Sequence, residues 1–159
     1  MLQLRPVKGL RLVRPEQWHV TLRFLGEVDD SLVPAITDSL VTAARTLAGL
    51  RCELGPSTAW FSGDRVLQIP ARGLDQVASA VRGATTPIVP DTSKGGSRFT
   101  GHVTVARIQR RLVDPAARMD LAGIPFVSTF DVDYFDLVKS ELANEGPEYT
   151  TLARISVAR

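Results

Sequence analysis

A chain of 159 residues with 44% hydrophobic and 23% charged positions suits one globular domain and is too apolar for a disordered tail. Its 19 basic and 17 acidic side chains leave a formal charge of +2, which permits a polyanionic partner without demanding one. The single cysteine, Cys52, excludes an internal disulfide framework, and the N-terminal segment lacks the continuous apolar core of a signal peptide or membrane span, so we expect a cytoplasmic protein with no membrane partner.

The first third of the sequence predicts two strands followed by a helix. The strands cover residues 10–13 and 18–27, and in the second strand apolar and polar side chains alternate: Val20, Leu22 and Phe24 against His19, Thr21 and Arg23. A period of two places the polar members on one face and turns Phe24 toward the core. Ser31 is predicted to cap a helix from about residue 32 to 47, which Gly49 closes.

The rest of the chain predicts hairpins and two shorter helical segments. In order, the elements are strands at 51–60 and 65–69 with a turn at 61–64, a helix at 74–81, a loop at 87–97, a strand at 99–108, a helical turn from Pro115, and strands at 126–138 and 149–157. The strict strand-helix alternation of a parallel sheet is missing from this order. We therefore expect an α+β fold with mostly antiparallel sheet, formed by one domain over residues 1–159.

One short motif occurs twice, and it includes both histidines of the chain. The copies are His19-Val20-Thr21-Leu22 and His102-Val103-Thr104-Val105. A lone histidine in a strand is usually structural, but chance explains two matched copies less easily than one. Because strand side chains alternate between faces, each copy presents an imidazole next to a hydroxyl. If the two strands face each other, two imidazoles and two hydroxyls share one cleft.

Such a set of side chains suits the hydrolysis of a phosphodiester. One neutral imidazole takes a proton from water, one imidazolium protonates the departing oxygen, and the hydroxyls donate hydrogen bonds to the nonbridging oxygens. The ordinary pKa of a histidine side chain, about 6.5, lets both protonation states coexist near neutral pH. Two histidines and one cysteine are too few for the usual zinc sites, so neither a metal nor another cofactor is expected.

The residues around both motifs resemble the two-histidine (2H) phosphoesterases, and in particular the RNA 2',3'-cyclic phosphodiesterases, also called 2'-5' RNA ligases. The resemblance rests on Val13–Val28, on Arg98–Arg107 and on the tail from Lys139 to Tyr149. It implies a bilobal, pseudo-symmetric fold, with two antiparallel sheets and outer helices around a central cleft. The implied reaction opens a terminal 2',3'-cyclic phosphate of RNA to a 2'-phosphate.

The resemblance also assigns roles to side chains. His19 would be the general acid for the departing 3'-oxygen and His102 the base that activates water, although the sequence leaves open which histidine does which. Thr21 and Thr104 would bind the phosphate. Arg107 and Tyr149 would contact the substrate, and the expected partners are RNA ends or cyclic nucleotides bound by a monomer.

Two arginines near the motifs raise a question of orientation. Strict alternation turns Arg107 away from the face of His102 and Thr104, so its role requires a bulge, a strand end or a long reach; a surface arginine is the competing interpretation. Arg23 shares the face of His19, where it would either meet phosphate or lie exposed beside the cleft.

The chain departs from the family pattern at two places. Family members usually have an apolar strand and a helix ahead of the segment that corresponds to Leu10, whereas only residues 1–9 stand there in this chain, and we expect a truncated or misassigned start. The family's usual proline before the second histidine is Gly101, which gives the backbone more freedom. These departures keep open a noncatalytic module that binds RNA ends or nucleotides. A 2'-5' RNA ligase also stays open, because a catalyst accelerates both directions of a reaction.

Overall fold

The computed structural model describes residues 2, 4–61, 65–91, 98–109, 115–143 and 146–158. The chain divides into two compact units, and each unit is assembled from three separate stretches. The first unit contains residues 1–21, 52–74 and 100–130, and the second contains residues 22–51, 75–99 and 131–159. Both histidines belong to the first unit, although they come from different halves of the sequence.

The first unit is built on an antiparallel sheet, which confirms the predicted fold class. Its strands are β1 (Leu10–Leu12), β2 (Arg51–Leu54), β3 (Ala59–Trp60), β4 (Val66–Arg72), β5 (His102–Ile108) and β6 (Ser128–Asp131). The strand order is β1-β5-β4-β2-β6, and β3 also pairs with β4. A short helix, Pro115–Leu121, comes after β5 in the chain, where the sequence predicts a helical turn.

The predicted strand over residues 51–60 is in fact two strands, because the chain bends between β2 and β3. Gly55 at the bend has φ +123°, and a Cβ there would clash with the Phe126 carbonyl oxygen. Only glycine permits both this backbone conformation and this close approach. The hairpin between β3 and β4 forms as predicted, with the Phe61 amide donating to the Val66 carbonyl at 2.8 Å; turn residues 62–64 lie outside the described part of the chain.

The core of the first unit lies on one face of this sheet. Leu67, Ile69, Val103, Val105 and Ala106 are almost fully buried there. Partly buried apolar side chains from other segments of the chain pack against this cluster, including Trp18, Val20 and Phe126. A shift of one residue in the pairing of a strand would turn its apolar side chains from the core to solvent. Burial of one face therefore fixes which residues of β4 and β5 point away from the core.

The second unit combines two helices with a long hairpin. Its elements are α1 (Val33–Ala44), α2 (Asp75–Thr85), β7 (Tyr134–Ala143) and β8 (Gly146–Ser156). Helix α1 contacts both α2 and β8, and the Ser39 hydroxyl on α1 donates to the Ala84 carbonyl on α2 at 2.7 Å. The apolar residues of α1 that recur at intervals of four, Ile36, Leu40 and Ala44, are buried.

Two predicted segments in the second half of the chain need comment. The single strand predicted over residues 126–138 is interrupted, because β6 ends at Asp131 and β7 begins at Tyr134. The predicted loop at 87–97 lies partly outside the described residues, since its members 92–97 are not among them. The other strand and helix predictions of this half differ from the structure at their ends.

The start of α1 differs from the sequence prediction. Helix α1 itself begins after Leu32 without a side-chain cap. Asp29 instead caps the 3-10 turn over Asp30–Leu32 that leads into α1, and its carboxylate accepts from the Ser31 amide at 2.8 Å. This hydrogen bond holds the pKa of Asp29 below its ordinary value. The aspartate is the cap because it directly precedes the turn whose first amides need acceptors.

The strand predicted over residues 18–27 does not form. Within the described residues, Val20 is the one member of this stretch that pairs with another strand. Phe24 is 83% exposed and does not enter the core, contrary to the prediction from alternation. Alternation fails beyond Thr21 because Leu22 is the first residue that packs with the second unit rather than the first. None of the described helices is long and apolar enough to cross a membrane.

Candidate active site

Hydrogen bonds and an aromatic contact fix the segment between β1 and His19. After β1 the Val13 amide donates to the Val105 carbonyl at 2.9 Å, and the chain then makes a 3-10 turn over Pro15–Gln17. The Trp18 indole donates to the Val13 carbonyl at 3.0 Å and packs edge-on against Phe126. Proline at the first position of the turn and a large anchored aromatic at its end fix the direction in which the backbone enters the motif.

The two motif copies lie side by side. Val20 and Val103 form an antiparallel bridge, and both valines face the core of the first unit. Continuing this register by one residue in each direction places His19 opposite Thr104, and Thr21 opposite His102. All four polar side chains therefore lie on the face that points away from the core, as the sequence predicts.

The spacing of these four side chains follows from sheet geometry. Directly opposite residues have Cβ atoms about 4.5–5.5 Å apart, and diagonal neighbours such as His19 and His102 about 7–8 Å apart. His19 and Thr21 are exposed, whereas His102 and Thr104 are half-buried. Two imidazoles at this separation leave room for one small group, such as a phosphate, between their outer nitrogens.

Both imidazoles are held in the same way by the backbone two residues earlier. His19 Nδ1 lies 2.8 Å from the Gln17 carbonyl oxygen, and His102 Nδ1 lies 2.8 Å from the Thr100 carbonyl oxygen. A carbonyl oxygen only accepts, so each Nδ1 carries the hydrogen and donates. Nε2 is then the atom of each neutral ring with a lone pair, and it is the atom through which either ring takes up or gives a proton.

The His102 ring has a second contact that the sequence did not reveal. Phe61 stacks on it, with ring centroids 4.4 Å apart and an interplanar angle of 27°. Phe61 follows β3 and lies on the face opposite to Trp60, which packs on the core. The Nδ1 hydrogen bond and the stacked ring together restrict rotation of the imidazole. The one signal for this contact in the sequence is that the first residue of the predicted hairpin turn, Phe61, is aromatic.

A bulge in β5 decides where Arg107 points. Leu67 and Gln68 are consecutive in β4, yet they pair with Ala106 and Thr104, so Val105 is an extra residue on β5. Val105 and Ala106 are both fully buried. Beyond the extra residue the alternation is displaced by one position, and exposed Arg107 lies on the face of His102 and Thr104. The bulge that its predicted role required is present.

Gln68 is a further polar side chain on this face. It lies directly opposite Thr104 and is only 8% exposed. Its Oε1 atom is buried and has no hydrogen-bond partner within the part of the chain that the structure describes. The sequence analysis does not predict this residue; the one signal is a single polar side chain inside the apolar run from Val66 to Ile69.

The other arginine, Arg23, belongs to the second unit and does not face solvent. Its side chain is 7% exposed; it donates to the Thr85 hydroxyl and to the Val89 carbonyl, and it pairs with Asp91 at 3.0 Å. Arg82 also pairs with Asp91, at 2.6 Å. Neither sequence interpretation of Arg23, a phosphate contact or an exposed residue beside the cleft, matches this buried ion pair.

The remaining predicted residue, Tyr149, also belongs to the second unit. It lies in β8 opposite Ser140 and is 41% exposed. The structure thus brings His19, Thr21, His102, Thr104 and Arg107 together within one unit, and Tyr149 is not in that unit. Its contact with substrate stays a prediction.

Two observations bear on other chemistry in the described residues. Cys52 is fully buried, and burial raises the pKa of its thiol, as expected for a structural cysteine. Across the described ranges, no group of three or more histidine, cysteine, aspartate or glutamate side chains is placed to hold a metal ion.

Comparison with known proteins shows what the chain is similar to. Residues 3–59 match the family of LigT like phosphoesterases. An RNA 2',3'-cyclic phosphodiesterase from Thermus thermophilus is 30% identical over 167 residues, and the alignment covers 98% of this chain and 79% of the relative.

Two solved structures are similar over most of their length. A crystal structure of a Thermus thermophilus protein has a TM-score of 0.80 at 29% identity, with 97% of this chain and 85% of that chain covered. E. coli LigT complexed with NADP+ has a TM-score of 0.70 at 26% identity, with 98% and 85% covered. Because the identity extends over nearly the whole chain and the folds agree, the protein belongs to the LigT-like phosphoesterase family.

Proposed function

We propose that the protein hydrolyses the terminal 2',3'-cyclic phosphate of RNA to a 2'-phosphate, with His19 and His102 as its acid-base pair and without a metal ion. The observation that carries this proposal is the bridge between Val20 and Val103, which sets the two His-x-Thr pairs next to each other. The Thermus relative is named an RNA 2',3'-cyclic phosphodiesterase, and the complex of E. coli LigT with NADP+ supports a site for nucleotides.

In the proposed reaction water attacks phosphorus while the bond to the 3'-oxygen breaks. The neutral His102 takes a proton from the water through Nε2, and the His19 imidazolium gives its Nε2 proton to the departing 3'-oxygen. The phosphate remains on the 2'-oxygen as a monoester. The two rings exchange their protonation states with solvent before the next turnover.

The other side chains on this face would stabilise the charge on phosphate. The hydroxyls of Thr21 and Thr104 donate to nonbridging oxygens, and the Arg107 guanidinium offsets the negative charge that grows in the transition state. The backbone hydrogen bonds at Nδ1 support the assignment of proton transfer to Nε2, because they fix one tautomer in both neutral rings. The Phe61 ring keeps the base aligned with the water.

The test is turnover of a cyclic phosphate by the purified protein in the presence of EDTA. We expect a 2',3'-cyclic nucleotide or RNA end to yield the 2'-phosphate, with a bell-shaped dependence of rate on pH because one imidazole must be neutral and the other protonated. The kcat of His102→Ala should be about 10²- to 10⁴-fold below that of the wild type. Full activity of that variant, or activity that EDTA abolishes, would contradict the proposed mechanism.

The same preparation separates the two alternative functions. A noncatalytic module would bind an RNA end without turnover, and exchange of either histidine for glutamine would leave that binding intact. A ligase would join a 2',3'-cyclic end to a 5'-hydroxyl end, so both RNA ends supplied together, with the products resolved on a gel, would reveal 2'-5' joining.

A further inference from the structure

A buried glutamine, Gln68, lies where the stacked rings of Phe61 and His102 cross the sheet. Strand β4 lies between β3 and β5, so a ring pair that joins the end of β3 to β5 passes over β4. The Phe61 amide bonds to Val66, and His102 is the partner of Pro70. Gln68 stands midway between Val66 and Pro70 on the same face of β4. Its carboxamide therefore lies beside the imidazole of the proposed base.

The carboxamide of Gln68 has an acceptor that its surroundings do not satisfy. The residue is 8% exposed, and its Oε1 atom has no hydrogen-bond partner among the residues that the structure describes. Val66 and Pro70 beside it are apolar, and its partner on β3 is Ala59. A buried oxygen without a partner costs free energy, so an orphan of this kind next to a reaction site indicates that a ligand supplies the hydrogen bond.

The missing partner must be a donor, and the proposed reaction brings one to this place. Phosphate oxygens only accept, whereas the attacking water has two hydrogens. The lone pair of His102 Nε2 takes one of them, and the other needs a second acceptor. Gln68 and His102 are diagonal neighbours, with Cβ atoms about 7–8 Å apart, which is within reach of a long side chain. A water that donates to both side chains would hold Nε2 and Oε1 about 4.5 Å apart.

The Oε1 atom can reach this water without a change in the backbone. The carboxamide turns about its last side-chain bond, and this torsion has broad minima. No described residue holds Oε1 in its buried position, so the rotation breaks no hydrogen bond of that atom. Two acceptors fix both hydrogens of the water and leave a lone pair for phosphorus. A glutamine carboxamide orients the attacking water in this way in other enzymes of phosphoryl transfer.

We propose that Gln68 accepts the second hydrogen of the attacking water and thereby makes the site select water over an alcohol as the nucleophile. An alcohol has one O–H, which it gives to His102, so it leaves Oε1 without a donor. A site with a buried polar group discriminates strongly against a reactant that lacks the matching group. The 5'-hydroxyl end of an RNA is an alcohol, so Gln68 favours hydrolysis over 2'-5' joining. This inference rests on the proposed function, with His102 as the base.

The test is competition between water and methanol for a 2',3'-cyclic nucleotide. When methanol attacks, its oxygen bonds to phosphorus and the bond to the 3'-oxygen breaks, while His102 takes the methanol proton and His19 protonates the 3'-oxygen. The product is a nucleoside 2'-(methyl phosphate) instead of the 2'-phosphate. Both products come from the same bound substrate, so their ratio at low conversion does not depend on KM or on the fraction of folded enzyme.

We expect Gln68→Met to lower the ratio of hydrolysis to methanolysis about fivefold, the effect of one hydrogen bond. Gln68→Glu keeps an acceptor at this position, and its ratio should stay at or above the wild-type value. Gln76→Met is the matched control, because it removes the same carboxamide from an exposed position on α2. The control should leave the ratio at its wild-type value.

A wild-type ratio in Gln68→Met would overturn the proposal. A ratio in Gln68→Glu as low as that of Gln68→Met would also overturn it, because that result assigns the effect to the carboxamide nitrogen. If the wild type releases neither product, the proposed function fails and this inference fails with it. Products that form at the same ratio in wild type and Gln68→Met overturn the inference alone and leave the proposed function standing.

Discussion

The two copies of the His-x-Thr motif continue in opposite ways. After Thr21 the chain enters the second unit, and Arg23, two residues on, is buried against Asp91. After Thr104 the chain stays in its sheet, and Arg107, three residues on, is turned by a bulge onto the motif face. Simple alternation predicts the reverse for both arginines.

The comparison shows that the local backbone, and not distance in the sequence, decides where an arginine near a His-x-Thr motif lies. Arg23 is surrounded by acceptors in its own unit: a hydroxyl, a carbonyl and a carboxylate. Arg107 instead lies opposite another arginine, Arg11, across the sheet. A buried, paired cation holds its own unit together, whereas an exposed cation on the motif face attracts an anionic substrate.

The largest expected effect separates the roles of the two histidines. His19→Ala and His102→Ala should each lower kcat for a cyclic phosphate by about 10²- to 10⁴-fold. With a 3'-bridging sulfur in place of the 3'-oxygen, the departing thiolate needs little protonation, because thiols are much stronger acids than alcohols. His19→Ala should then recover most of its activity and His102→Ala should not. Equal recovery, measured by release of thiol, would contradict the assigned acid and base.

The next effect concerns stability. Arg23→Met should lower the free energy of unfolding by about 2–3 kcal/mol, because it removes a buried cation from Asp91 and leaves the Val89 carbonyl without that donor. The control is Arg51→Met, which breaks a loose and exposed pair with Asp131 and should change the denaturation midpoint little. Urea melts of the two variants make the comparison. Similar midpoints for the two variants would mean that the buried ion pair of Arg23 contributes nothing to the free energy of unfolding.

Arg107→Met should show the opposite behaviour, with loss of activity and little change in stability. We expect kcat/KM for a cyclic phosphate to fall about 10- to 100-fold, the usual cost of losing a hydrogen bond to a charged group. The thermal midpoint should stay within about 2 °C of the wild type, because Arg107 is exposed. A stability loss like that of Arg23→Met, with activity unchanged, would mean that the bulge serves packing alone.

The smallest effect is expected at Gln68, opposite Thr104 in the second copy. Because its Oε1 atom is buried without a described partner, Gln68→Met replaces an unsatisfied polar group by an apolar one of similar shape. The free energy of unfolding should stay the same or rise by about 1 kcal/mol. A clear fall in stability, measured by urea denaturation, would show that the carboxamide is satisfied in solution, for instance by a bound water.

The elements that the sequence predicts best are those with a strong local signal. The helix at α1, the hairpin of β3 and β4, and the strand that contains His102 all form, because periodicity and turn residues act over a few positions. The predicted strand over residues 18–27 fails for the opposite reason. Its alternation is as regular as that of β5, but pairing depends on which unit the segment packs with, and that is not a local property.

The sequence alone determined the chemistry of the candidate site: two imidazoles and two hydroxyls in matched pairs, with strand periodicity that sets each pair on one face. Tertiary structure decided which of the neighbouring residues join them. The bridge at Val20, the extra residue at Val105 and the stacking of Phe61 on His102 all depend on contacts between segments that are distant in the chain. A register shift of one residue reverses a side chain, and only packing against the rest of the fold can fix that register.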